Sequence, residues 1–281
     1  MSILPVLLDA ATVVASIDYS QNWALRSVRQ ATTAVAWDIW ASAATLKGGV
    51  PLPKGLDVES YIQKNEIEQN DFNKAIGIRR LQQVTELAPE VLMAYGECLE
   101  NENPKVKVIP SFLLGGGDAY KSLPKRGTLD SEGKKFLVIP VVVASKEGSP
   151  SQIIAKKMGR SGDHVVTFMI DFESKVIEFY DPKGLTCEDR GDCLRSDAKS
   201  NLATFLERLK KTYQIESFEV KQNKEKHQWD LHNCGVYLSD YYERRLIQGE
   251  SSDSIWAKPK TTQEANHHRA KILKNICGFN K

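Results

Sequence analysis

The chain has 281 residues, 41% of them hydrophobic and 26% charged, an ordinary globular composition. Such a length suits one large domain, or a domain of about 150–180 residues with an accessory segment. Thirty-eight Lys and Arg against 36 Asp and Glu leave a formal charge of only +2, which gives no reason to invoke nucleic acid or an anionic membrane. The local basic cluster of Lys121, Lys125, Arg126, Lys134 and Lys135 reads as a solvated face. Five cysteines, an odd number without framework spacing, point to a reducing intracellular compartment. Cys187 and Cys193 share an acidic loop but have no second ligand pair, so no metal site is expected. The apolar start, MSILPVLLDAATVVASI, lacks a basic flank and is broken by Asp9, and no run of about 18 apolar residues follows, so a soluble protein without a membrane span is expected.

In chain order, residues 1–103 read as mainly helical and as an accessory region, with residues 104–281 as the main domain. Leu25, Val28, Thr32, Val35 and Ile39 recur at helical spacing before the stop at Lys47-Gly48-Gly49. A second pattern runs from Asp71 to Val84, and a short third one follows Pro89. The texture then changes. Val106–Ile109 and Phe136–Val143 are dense in β-branched residues and read as strands. Gly115-Gly116-Gly117 lacks the Gly-Lys-Ser/Thr ending of a phosphate loop and reads as a turn, and 145–163 as a loop. His164–Ile170 and Val176–Tyr180 are two strands around a polar turn, Ser200–Tyr213 is a helix, and Phe218–Val220 is another strand. Cys234 opens a last strong helix that reaches about Gln248, where Gly249 caps it. Helices and a mixed or antiparallel sheet in this order make the fold class α+β.

Four polar residues stand out. With the hairpin turn centred between residues 172 and 173, His164 and Asp181 lie directly opposite each other, where an Asp fixes the tautomer of an imidazole. A turn shifted by one residue sets Lys183 there instead. Cys234 sits in a first helical turn behind a candidate cap, Asn233, where backbone N–H groups and the helix dipole favour thiolate. Gly235 has no side chain to obstruct an approaching substrate backbone, and Gln228 is placed to donate its amide to an oxyanion. Each residue alone also has an ordinary reading: a part-buried strand His, a turn-opening Asp-Pro, a small core Cys. His227 and His232 crowd the same segment. Spacing and order must decide.

The pattern GDHVVTFMID…VIEFYDPKG…HQWDLHNCGVYLSDYY, with Asp 17 residues after His and Cys six after Gln, resembles clan CE of the cysteine peptidases over about residues 105–260. That clan holds the SUMO proteases, adenovirus protease and deubiquitinases delivered by intracellular bacteria. The resemblance implies a ubiquitin-like-protease fold in which His164 is the general base, Asp181 its orienter, Gln228 the oxyanion donor and Cys234 the nucleophile. It implies a cysteine isopeptidase with no cofactor. The partners it implies are conjugates of ubiquitin first, of SUMO or another relative second, and it suggests a bacterial effector secreted into a host cytosol. Residues 1–103 and the 145–163 loop flank the site in the family layout and are assigned to substrate recognition. Two positions depart from the family. Where many members have a Trp that roofs the channel, this chain has Val165, with Trp229 a substitute for that aromatic cover. Where Asp commonly precedes the Cys, this chain has Asn233. An acetyltransferase on the same fold is the nearest alternative, although that branch usually carries Glu where this chain has Asp181. An inactive modifier-binding or adaptor protein is the second.

Overall fold

The computed structural model describes residues 86–113, 123–143, 163–188, 202–229 and 232–276. The expected helices between Ser20 and Val84, the Gly115–Gly117 turn, nearly all of the 145–163 loop and Cys193 lie outside the described residues. Helix α1 (Pro89–Glu102) begins with Pro at its first position, where the missing N–H costs nothing. The short strands β1 (Val106–Val108) and β2 (Phe112–Leu113) follow, then helix α2 (Arg126–Ser131) and strands β3 (Phe136–Val143), β4 (His164–Asp171) and β5 (Val176–Tyr180). Helix α3 (Leu202–Tyr213) leads to strand β6 (Glu219–Gln222), one residue later than Phe218–Val220 suggests. Helix α4 (Cys234–Tyr242) runs on as a π-helical turn, Glu243–Ile247, and stops at Gly249, whose φ of +72° suits a glycine. Two helices that the sequence reading leaves out, α5 (Ser252–Ala257) and α6 (Thr262–Ile276), complete the chain.

The sheet order is β1-β3-β4-β5-β6, with β2 also paired to β3. The strands β3–β4–β5 are antiparallel, while β1, β2 and β6 join in parallel, so the fold is α+β with a mixed sheet. Pro140 is tolerated inside the sheet because it falls between the stretches of β3 paired with β1 and with β2. All eight residues of β4 are buried, because apolar clusters cover both faces of the sheet. One cluster gathers Val165 and Met169 with α1, α4 and Ile272, and the other gathers Phe168 and Phe179 with Phe205 and Leu209 of α3. Helix α1, on the accessory side of the 103/104 division, puts Val91, Leu92, Tyr95 and Leu99 into the same core as Cys234 and Tyr241.

The hairpin register differs from the expected one. The ladder pairs Thr167 with Tyr180 and Asp171 with Val176, a turn centred one residue further on. Continued to the strand end, it sets His164 against Lys183, so the expected direct facing of His164 and Asp181 does not occur. The turn is four residues long because Asp171 Oδ1 accepts from the N–H groups of Glu173 (3.1 Å) and Ser174 (3.0 Å). Lys175, at φ +57°, closes it in the left-handed region.

Candidate active site

His164 and Asp181 nevertheless meet. His164 Nε2 lies 2.7 Å from Asp181 Oδ1, with the two residues 4% and 0% exposed. In this register Asp181 is the diagonal neighbour of His164 on the same sheet face, a separation that an Asp and a His side chain together can span. Because β5 ends at Tyr180, the Asp181 backbone leaves the strand: its N–H donates to Asn223 Oδ1 (2.8 Å). The carboxylate also accepts the Lys183 N–H at 2.8 Å. A buried carboxylate can only accept, so the hydrogen of the short contact is on Nε2 and Nδ1 is the basic nitrogen.

Cys234 is 5% exposed at the first position of α4. The Val165 backbone group lies near enough to the sulfur to lower its pKa, which places the thiol against the strand residue next to His164. Burial is the largest influence on this thiol and pushes its pKa up. The Val165 and Gly235 backbone groups and the Lys183 ammonium pull it down, and Glu86 adds to the upward push. The donors expected at a helix start are therefore present, but desolvation outweighs them in the closed site. Asn233 does not act as the expected cap: no side-chain capping bond forms. Its Oδ1 instead accepts from Nε (3.1 Å) and Nη2 (2.7 Å) of Arg269, a fully buried residue of α6 that also reaches the His232 carbonyl (3.4 Å).

Gln228 is 1% exposed, and its backbone N–H donates to Pro182 O at 2.7 Å, so its segment is fastened to the residue after Asp181. His227 N donates to the same carbonyl at 2.9 Å. The His227 ring is fully engaged, with Nδ1 2.9 Å from the Tyr180 hydroxyl and Nε2 3.1 Å from Trp256 O. A carbonyl can only accept, so Nε2 carries the hydrogen and Nδ1 accepts from Tyr180. This makes His227 a packing histidine, unlike His164.

The other expected binding residues fall differently. Val165 is 6% exposed and packs in the core with Leu87 and Cys234. A Cβ on Gly235 would lie 2.8 Å from Leu87 Cβ, so the missing side chain makes room for the core beneath α4 rather than for a substrate. Trp229, beside Gln228, is 43% exposed, with the Lys226 ammonium 4.1 Å from its ring centre, a cation–π contact at the surface. Asn223 and Arg269 are absent from the sequence reading. Their partners are 42 and 36 residues away along the chain, and no local pattern marks such contacts. Among the described residues no group of three or more His, Cys, Asp or Glu side chains could hold a metal ion, and no helix is long and apolar enough to cross a membrane.

No protein-family model and no curated protein matches the chain. Among solved structures, the SUMO protease Ulp1 with its catalytic cysteine oxidised to a sulfenic acid aligns with a TM-score of 0.52 at 12% identity, over 82% of this chain and 98% of that one. The sulfonic-acid form of Ulp1 aligns at 0.50 with 13% identity over the same shares. The Chlamydia trachomatis effector ChlaDUB1 aligns at 0.45 with 14% identity, over 81% of this chain and 94% of that one. With its strand order, flanking helices and a cysteine at the head of α4, this chain has the Ulp1-like protease fold.

Proposed function

We propose that the chain is a cysteine isopeptidase that removes ubiquitin, or a ubiquitin-like modifier such as SUMO, from lysine side chains. The observation that carries this reading is the buried 2.7 Å contact of His164 with Asp181, beside a cysteine that opens a helix on a Ulp1-like fold. Asp181 holds His164 with Nδ1 as the basic nitrogen. The Cys234 thiol loses its proton to His164 as the sulfur attacks the carbonyl of the modifier's last glycine. Gln228 and the Cys234 N–H donate to the oxyanion, and removal of one such donor costs roughly 100- to 1,000-fold in rate. The C–N bond breaks, His164 returns the proton to the leaving lysine amine, and a thioester remains. Water, deprotonated by His164, then attacks the thioester and frees the modifier and the enzyme. Trp229 offers an aromatic wall for the modifier's tail.

Ubiquitin and SUMO probes with a C-terminal electrophile test the reading. An adduct with one probe that is lost in Cys234→Ala names both the nucleophile and the modifier. In the same assay Asp181→Asn slows labelling by roughly 100-fold or more, the usual size of a general-base contribution. Absence of any adduct with either probe removes the isopeptidase reading.

A further inference from the structure

Asn223 is 1% exposed and lies just beyond β6, and its amide uses every atom on the two segments that frame the site. Oδ1 accepts from Asp181 N at 2.8 Å, while Nδ2 donates to Asp181 O at 2.9 Å and to Glu225 O at 3.0 Å. Its own backbone N–H donates to Phe179 O at 3.2 Å, so the amide is anchored to the end of β5. The reciprocal pair of bonds fixes both backbone groups of Asp181, the base from which its carboxylate reaches His164. The third bond fixes Glu225, three residues before Gln228. The same two segments are joined again at the Pro182 carbonyl, which takes the N–H groups of His227 and Gln228. They also touch backbone to backbone at Gly184 (φ +70°), where a Cβ would lie 2.7 Å from Glu225 C and 2.8 Å from Lys226 N.

We propose that Asn223 is a positioning residue that locks the acid, Asp181, and the oxyanion donor, Gln228, into one rigid unit. This rests on the roles given to those two residues above. Asp181 and Glu225 lie on the two segments that frame the site. Asn223 bonds to both, and it takes the place of the strand ladder at the point where Asp181 leaves it. Loosening it therefore turns the carboxylate away from His164 and displaces Gln228 together.

Two readouts on the full chain separate these effects. Alkylation of Cys234 by iodoacetamide, followed against pH by peptide mass spectrometry, depends on His164 and Asp181 but forms no oxyanion and needs no modifier. Hydrolysis of the C-terminal aminomethylcoumarin amides of ubiquitin and SUMO depends on both. Asn223→Ala is expected to lower kcat on the order of 100-fold, the cost of misplacing catalytic groups by about 1 Å, with KM within about 3-fold. It is also expected to shift the alkylation midpoint by about one pH unit. Asn223→Asp keeps the size and the Oδ1 acceptor but loses both donor bonds, and is expected to fail in the same two ways while melting as a folded protein. Gln228→Ala, by contrast, loses hydrolysis and keeps the wild-type alkylation profile. Alkylation profiles of the two Asn223 variants that superimpose on wild type overturn the proposal. A shifted profile in a chain whose wild type cleaves neither modifier upholds the positioning role and removes the isopeptidase reading instead.

Discussion

His268, in α6, is a buried base that the proposed chemistry leaves aside. It is 4% exposed, with the Tyr95 ring edge-on at 6.3 Å and Asp240 Oδ1 3.9 Å from Nδ1. Burial, then the Lys260 and Lys271 ammoniums, push its pKa down to about 3 against the opposing pull of Glu243 and the Ser239 carbonyl. A histidine with a depressed folded pKa is neutral in the folded protein, and the unfolded chain takes up its proton first. Its contribution to stability is therefore complete above about pH 6.5 and is lost as pH falls toward 3. His227, also lowered by burial, acts in the same direction. Urea unfolding from pH 7 to pH 5 should show stability falling on acidification, by at most about 1.4 kcal/mol per pH unit for each proton. His268→Gln should flatten that slope; an unchanged slope would place the titration elsewhere. Of the residues that sequence order singles out, His164 meets Asp181 diagonally rather than face to face as its spacing suggests, and Cys234 opens a helix. The elevated Cys234 thiol was not legible, because its burial comes from Leu87, Val165 and α4 closing around it, contacts made across the fold.

Elements were legible where their pattern was local. The β-branched runs of β3 and β4 and the apolar stripe of α3 announce themselves, since sheet faces and helix stripes must be buried. The β4–β5 register was not, because one side chain, Asp171, sets the length of the turn by capping two N–H groups. The last helix had a readable signal: Thr261 and Glu264 form a reciprocal capping box, with Thr261 N donating to Glu264 Oε2 at 2.7 Å and Glu264 N to Thr261 Oγ1 at 3.2 Å. Helix α4 depends on close contact at its start. Gly235→Ala would drive a methyl group into Leu87, so a loss of about 1–3 kcal/mol is expected in urea unfolding. Loss of activity at unchanged stability would instead return Gly235 to the substrate path.

The molecule as a whole is built so that both ends of the described chain wall the same core. Helix α1 supplies Leu92, Tyr95 and Leu99, Tyr95 donates to Glu243 Oε2 at 3.1 Å, and Asn103 Nδ2 donates to Leu246 O at 2.8 Å. A chain that starts at residue 104 should therefore lose its cooperative thermal transition; a sharp melt from that fragment would show that α1 is dispensable. At the other end, Arg269 braces Asn233 from 36 residues downstream. At translation rates of about 5–20 residues per second, that brace is synthesised roughly 2–7 s after the loop it supports. A chain that breaks off early in α6 thus leaves the ribosome with the loop ahead of Cys234 still unbraced.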